Sequence, residues 1–215
     1  MSFFNQLEAE TKKDREALFS IPIIQDALRG EIKLNQYLAF LKEAYHHVKY
    51  TVPLLTACKN EISCDYPWLK EAMSHYIEDE MGHEEWILND IKAAGGKHEE
   101  IRHSEPSIFT ELMVADAYYQ IYQKNPIGFL GMVFVLEGTS IAIATNAATA
   151  MQKSLQLPNE AFTYMISHGS LDLTHVEFFK SLVNQFTKEE DQKIVIDCAK
   201  KFYFLYGNIF KHLPA

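Results

Sequence analysis

The chain has 215 residues, of which 47% are hydrophobic, and its formal net charge is −9 at pH 7. This length and composition predict one domain, residues 1–215, with a sizeable buried core. An acidic chain without a cluster of Lys and Arg argues against binding to nucleic acid or to an anionic membrane surface.

The hydrophobic pattern predicts helices throughout and contains no alternating strand segment. We expect helices at residues 3–18, from Pro22 to about Gly30, at 31–59, from Pro67 to the Gly95-Gly96 pair, at 108–123, at 126–155, from Pro158-Asn159 onwards, and after Thr187, which has Glu190 in capping position. Residues 97–107 are expected to form a loop. Proline at a first helical position and glycine after the last one are typical helix boundaries. The sequence therefore predicts an all-α bundle of seven or eight helices.

Residues 127–150 form the most apolar stretch and approach the length of a membrane span. Glu137 lies in the middle of this stretch, so we interpret it as a buried helix of a soluble protein. The N-terminal segment MSFFNQLEAETKKDRE does not resemble a signal peptide. The three cysteines, Cys58, Cys64 and Cys198, form no CxxC motif. Their odd number fits a reducing compartment, and we expect a cytoplasmic protein without disulfides.

Two segments carry a carboxylate and a histidine three residues apart. Residues 167–179, SHGSLDLTHVEFF, contain His168, Asp172 and His175, and steps of four and three place these side chains on one stripe of a helix. Residues 78–86, EDEMGHEEW, contain Glu80 and His83 with the same spacing as Asp172 and His175. Two such pairs on separate helices are one way in which a helical bundle builds a two-metal carboxylate site.

A third predicted helix contributes Glu137, the only ionisable side chain between Lys124 and Lys153. A lone buried carboxylate costs several kcal/mol unless it is paired, and a cation is its strongest partner. The candidate metal ligands are therefore Glu80, His83, Glu137, His168, Asp172 and His175. Carboxylates and imidazoles suit iron or manganese, although they bind zinc as well.

Each candidate ligand also has a simpler interpretation. Glu80 and His83 fit a solvated helix face, because other acidic residues surround them. His168 fits a core histidine bonded to a backbone carbonyl. Asp172 and His175 fit an ion pair between neighbouring turns, and Glu137 fits a buried ion pair or a protonated acid.

Taken in order, E-x-x-H at 80–83, the isolated Glu137 and H-x3-D-x2-H at 168–175 resemble the haem-oxygenase-like di-iron oxidases. Their superfamily also contains TenA, PqqC and CADD-like proteins. The resemblance covers nearly the whole chain and implies a single haem-oxygenase-like helical bundle that forms a homodimer. It further implies that the six positions hold two Fe ions, or Mn or a mixed Fe/Mn pair. Dioxygen would then be the co-substrate that oxidises a small molecule in a buried pocket.

The same resemblance places part of the substrate pocket on the segment 31–59, where Tyr45 and His47 are candidates to bond a substrate or an oxygen species. On the helix of Glu137, Ser140, Ala144 and Ala148 follow at helical spacing. These small side chains leave room for a ligand, and they equally permit close helix packing.

Several other functions are alternatives to a di-iron oxidase. A TenA-like thiamin-pyrimidine hydrolase needs a nucleophilic cysteine, and the chain has none between Cys64 and Cys198. A PqqC-like cofactor-biosynthesis protein would leave the carboxylates unexplained. Haem oxygenase needs a histidine near the N-terminus, but the first one is His46. A ferritin-like site, with Glu43 as the additional ligand, would leave His168 unexplained. A non-catalytic metal-binding or ligand-binding member of the fold is the last alternative.

Overall fold

The computed structural model describes residues 1–214, apart from the side chains of residues 169–174. Every regular element in residues 1–214 is helical, as predicted. In chain order the helices are α1 (Phe3–Glu10), α2 (Lys12–Phe19), α3 (Pro22–Arg29), α4 (Leu34–Val48), α5 (Thr51–Glu61), α6 (Pro67–Glu80), α7 (His83–Ala93), α8 (His98–Arg102), α9 (Ile108–Tyr119), α10 (Phe129–Thr139), α11 (Thr145–Leu155), α12 (Thr163–Val183) and α13 (Glu189–Lys211). A π-helical turn, Ser140–Ala144, joins α10 and α11 into one rod, and another, Gln120–Lys124, extends α9.

Helix boundaries at proline and glycine agree with the sequence prediction. Pro22 and Pro67 occupy the first positions of α3 and α6, where the missing N–H group of proline has no helical partner to lose. Gly30 and Gly95 follow α3 and α7 with φ angles of 69° and 81°. Glycine adopts this left-handed conformation without the strain of a Cβ atom.

The predicted number of seven or eight helices is too low, because three predicted helices are interrupted. The helix predicted at 3–18 breaks at Thr11, whose hydroxyl donates to the Leu7 carbonyl at 2.7 Å. The segment 31–59 divides into α4 and α5, and the helix predicted to start at Pro67 breaks at Met81-Gly82. In addition, α8 forms within the loop predicted at 97–107.

Thr187 does not cap the last helix. Helix α13 begins at Glu189, and its N-cap residue is Lys188, which makes no side-chain capping hydrogen bond. Three acidic residues in the first turn of α13 instead face the positive end of the helix dipole.

The buried apolar side chains form two clusters. The first is built mainly from α1, α5, α6, α10, the end of α12 and α13; its fully buried members include Leu54, Met73, Val135, Phe179 and Phe202. The second is built mainly from α4, α7, α11 and the start of α12; its fully buried members include Tyr37, Leu41, Ile87, Ala148 and Phe162. Within the first cluster α10 packs directly against α13.

The rod from Pro126 to Leu155 is long and apolar enough to cross a membrane by length and composition alone. More than half of its most apolar window is buried inside the protein, where α10 contacts α13 and α12. This is the position of a core helix in a globular protein, in line with the interpretation of residues 127–150.

Candidate metal centre

Glu80 and His83 meet across a helix break. Glu80 is the last residue of α6 and His83 the first of α7, and Gly82 between them has a φ of 86°. His83 Nδ1 lies 3.0 Å from Glu80 Oε2, and His83 is only 4% exposed. The sequence predicts this meeting on one helix face. In the structure the left-handed turn at Gly82 takes the place of a continuous helix.

His168 completes a group of three ligands. Its Nδ1 donates to the Tyr164 carbonyl at 2.9 Å, and this leaves Nε2 with the lone pair that binds a metal ion. Its ring centroid lies 4.8 Å from that of His83. Ligand atoms of Glu80, His83 and His168 all lie within 4.8 Å of one another. Atoms that share one cation at about 2.1 Å are at most about 4.2 Å apart, so small side-chain movements suffice.

Glu137 and His175 form a second pair beside this group. His175 Nδ1 lies 3.8 Å from Glu137 Oε1, and the exposed fractions of the two side chains are 10% and 11%. His175 Nε2 lies 3.4 Å from Asp79 Oδ2. The remaining predicted ligand, Asp172, lies outside the described side chains.

The electrostatics favour a charged Glu80. Burial by itself would raise the pKa of this carboxyl, but the hydrogen bond from His83 and the charges of His83, His168 and His175 outweigh that effect and lower it. At neutral pH Glu80 is therefore an anionic oxygen ligand, which suits iron and manganese.

A sequence model of the iron-containing redox enzyme family matches residues 38–207, most of the chain. The chain belongs to this family. A curated relative is the 4-aminobenzoate synthase of Chlamydia muridarum, which is 21% identical over 211 residues, or 96% of this chain and 88% of the relative.

Solved structures establish the haem-oxygenase-like fold of this family member. A domain of unknown function with that fold from Shewanella denitrificans superposes with a TM-score of 0.89 at 22% identity and covers 98% of this chain and 91% of that one. A TenA homologue from Pseudomonas syringae gives a TM-score of 0.78 at 9% identity, with coverage of 98% and 91%. At these identities the likeness shows the fold alone.

Two cavities adjoin the candidate ligands of this family member. The metal chamber, so called because the candidate ligands Glu80, Glu137 and His168 line it, has a volume of about 690 Å³ including its open mouth. The apolar chamber has a volume of about 710 Å³ including its open mouth, and it lies among α3, α4, the rod of α10 and α11, and α12 and α13. The two chambers share four lining residues, Ser140, Tyr164, His168 and Tyr206.

Of the two pocket candidates on α4, the structure places only His47 in the metal chamber. Burial, together with the nearby His168 and His46, lowers the pKa of His47 to about 4, so its ring is neutral at pH 7. Its Nδ1 has no hydrogen-bond partner among the described residues. Tyr45 packs against the ring of His46 and does not belong to the described lining of either chamber.

Asp79 is a site residue that the sequence reasoning missed. In the sequence it is one of the acidic residues around Glu80 that fit a solvated helix face, whereas its carboxylate approaches His175. Its spacing of four residues from His75, which it also contacts at 3.4 Å, points to an ordinary helical ion pair. The contact with α12 is tertiary, so no local pattern reveals it.

The described side chains argue against two of the alternatives, the ferritin-like site and the TenA-like hydrolase. Glu43 accepts hydrogen bonds from Ser107 and Thr110 at the start of α9, so this carboxylate is already engaged away from the metal chamber. Burial raises the pKa of Cys58 to about 12 and that of Cys198 to about 11. Neither thiol is suited to act as a nucleophile, and neither lines the two chambers.

Proposed function

We propose that this protein is a non-haem di-iron oxidase or oxygenase that uses dioxygen to oxidise a small molecule. The observation that carries the proposal is the convergence of Glu80, His83 and His168 beside the pair Glu137 and His175, next to a cavity that Glu80, Glu137 and His168 line. Buried carboxylates and imidazoles that approach one another in this way are stabilised by a cation.

The donor set fits iron. Three imidazoles and the carboxylates of Glu80, Glu137 and Asp172 would hold the two ions between them, and their charge offsets much of that of two divalent cations. Bound iron(II) supplies the electrons that activate dioxygen, which side chains cannot do.

The protein's own residues prepare the site for this chemistry. The Tyr164 carbonyl fixes the ring orientation of His168. Apolar side chains such as Leu55, Met132 and Leu136 line the metal chamber and exclude water from it. The neutral His47 lines the chamber, and its Nδ1 has no hydrogen-bond partner among the described residues, so this ring is a candidate to exchange a hydrogen bond or a proton with a substrate.

Metal loading with a matched pair of variants tests the proposal. The purified chain is loaded with Fe(II) under anaerobic conditions, its iron content is measured, and oxygen consumption is followed after mixing with air-saturated buffer. We expect about two iron ions per chain, and His83→Ala should lose at least about half of them because one buried ligand is missing. Oxygen consumption should fall at least tenfold.

His103→Ala is the control, since His103 is exposed and does not line the metal chamber. It should bind iron and consume oxygen like the wild type. If His83→Ala does the same, the proposed ligand set is wrong. Iron binding by the wild type without oxygen consumption would indicate a metal-binding protein that is not an oxidase.

The chlamydial relative is named a 4-aminobenzoate synthase, and this supports an enzyme of small-molecule metabolism. At 21% identity it does not carry a substrate over to this chain. We also propose, from the family resemblance, that the protein acts as a homodimer; light scattering during size-exclusion chromatography tests this.

A further inference from the structure

The walls of the apolar chamber consist almost entirely of hydrocarbon. Residues of six helices and of the π-helical turn contribute them, among them Ile24, Phe40, Ile143, Ala144, Met165 and Phe210. Among the described lining residues of both chambers there is no Lys or Arg. A carboxylate or phosphate on the body of a ligand would therefore be buried without a cationic side chain, at high cost.

The polar groups in the apolar chamber are mostly occupied by the protein itself. The Tyr37 hydroxyl donates to the Ala161 carbonyl at 2.6 Å, and the Thr139 hydroxyl donates to the Val135 carbonyl at 2.6 Å. Gln36, on the outer side, donates to the Pro214 carbonyl at 3.2 Å and accepts from the Lys33 amide at 2.8 Å. The chamber thus offers contact area and few hydrogen bonds.

One end of this chamber reaches the candidate metal ligands. His168 belongs to both linings, together with Ser140, Tyr164 and Tyr206. A molecule in the apolar chamber therefore has one end beside His168, and the rest of it lies against hydrocarbon.

On the basis of the proposed oxidase function, we propose that the apolar chamber holds the body of the substrate, and that the substrate is an aliphatic molecule with a single polar end at His168. Free amino acids do not fit this description, because an ammonium group and a carboxylate group of opposite charge are attached to the same carbon atom. The chamber acts by burial of apolar surface, so affinity grows with the length of the chain it can hold.

Binding of a homologous series tests the assignment. Calorimetric titrations of the full-length protein with n-butanol, n-hexanol and n-octanol should show affinity rising about two- to fourfold for each added methylene group. Norleucine has the carbon skeleton of hexanoic acid with an added ammonium group, and it should bind at least tenfold more weakly than n-hexanol. Affinity that does not depend on chain length, or norleucine binding as tightly as n-hexanol, overturns the proposal.

A matched pair of substitutions locates the binding. Ala144 is buried and lines the apolar chamber, whereas Ala142 lies two residues away in the same π-helical turn and is exposed. Ala144→Phe should weaken n-octanol binding at least tenfold, and Ala142→Phe should bind it like the wild type. Equal binding by both variants overturns the assignment. If Ala144→Phe does not fold, Ala147→Leu adds a smaller group to the same wall and serves in its place.

Iron content separates this inference from the proposed function. If the wild type and the chamber variants bind iron equally but show no dependence on chain length, the substrate class is wrong and the oxidase proposal stands. If the wild type binds no iron but shows the predicted gradient, the chamber is a binding site and the oxidase proposal fails.

Discussion

Asp90 is a single residue that connects two ligand-bearing helices. It lies in α7, which begins with His83, and it is fully buried. Its carboxylate accepts hydrogen bonds from the Thr163 amide at 3.1 Å, the Thr163 hydroxyl and the Tyr164 amide at 2.9 Å. These donors belong to the first turn of α12, so Asp90 caps that helix from a neighbouring one. The orientation of His168, one turn further along, depends on this attachment.

The pKa of Asp90 predicts how the stability of the folded protein depends on pH. Burial raises it from 3.8 to about 6 and outweighs the hydrogen bonds that lower it. The folded state therefore holds the proton more tightly than the unfolded state. The stabilisation of the folded state by this tighter proton binding is fully present below about pH 4 and is lost as the pH rises to about 6.

Asp90→Asn removes this titration and provides the comparison. The free energy of unfolding of the wild type relative to the variant should fall by roughly 1–3 kcal/mol between about pH 4 and pH 6 and stay constant above. Urea unfolding across this pH range measures it. A difference that rises with pH would show that the hydrogen bonds dominate and that the carboxylate is charged in the folded protein.

At the residue scale the sequence predicted which candidate residues approach one another better than it predicted their surroundings. The spacing of Glu80 and His83 and the isolation of Glu137 are local signals, because metal ligands must recur on one side of an element. Asp79 and the capping role of Asp90 depend on contacts between α6 or α7 and α12, which a single sequence does not encode locally. His47 and Tyr45 are close together in sequence, and only packing decides which of them reaches the cavity.

At the scale of secondary-structure elements, the important feature is the break between α6 and α7. Met81 adopts an extended backbone conformation with a ψ of 122°, and Gly82 adopts the left-handed one. A Cβ atom at Gly82 would have no neighbour within 4 Å. The glycine is needed there for its conformation and not for space. That conformation sets the direction from which His83 approaches Glu80.

Two glycine substitutions separate stability from metal binding. Gly82→Ala and Gly95→Ala both place a side chain in the left-handed region, at φ values of 86° and 81° with open space around the new methyl group. Each should lower the free energy of unfolding by about 1–2 kcal/mol. Only Gly82→Ala should weaken iron binding, by at least tenfold, since Gly95 lies at the far end of α7. Anaerobic competition with a coloured chelator measures the affinity. Equal iron affinities in the two variants would show that the break does not position the ligands.

Helix boundaries were predictable where proline or glycine enforces them, and internal breaks were not. Pro22, Pro67 and Gly30 leave the backbone little choice. At Thr11 and at Met81 the apolar spacing continues across the break, so periodicity alone predicts one longer helix. Tertiary packing decides at both positions, and the break at Met81 lies next to Glu80, which lines the metal chamber.

At the scale of the whole molecule, α10 packs closely against α13 at Gly131. A Cβ atom at Gly131 would lie 2.5 Å from the Ala199 amide nitrogen and 2.8 Å from the Cys198 carbonyl carbon. Because these are backbone atoms, they cannot move aside without separating the helices. The packing of α10, which carries Glu137, therefore depends on the absence of a side chain at this position.

Gly131→Ala should lower the melting temperature by roughly 6–12 °C, which corresponds to about 3 kcal/mol of overpacking in a chain of this size. Gly138→Ala is the matched control, because Gly138 lies in the same helix and a Cβ atom added there would have no neighbour within 4 Å. It should raise the melting temperature by roughly 1–4 °C, since alanine favours the helix over glycine. Thermal unfolding followed by circular dichroism checks both. A Gly131→Ala protein that melts like the wild type would contradict the close packing described here.

The all-α class and the family resemblance followed from the sequence, because helical periodicity and the ordered ligand motifs extend over most of the chain. The division of the core into two clusters did not follow from the sequence. Apolar periodicity shows which residues are buried, but it does not show which residues they pack against.

That division has a consequence for how an ion would reach the proposed metal site. The metal chamber is lined by Leu54 and Tyr76 from the first cluster and by Val48 and Tyr164 from the second. It thus lies between the two apolar clusters. A local opening there would hydrate the polar walls of the chamber and leave most of both clusters buried. The opening by which a hydrated cation would reach the proposed site should therefore cost less free energy than global unfolding.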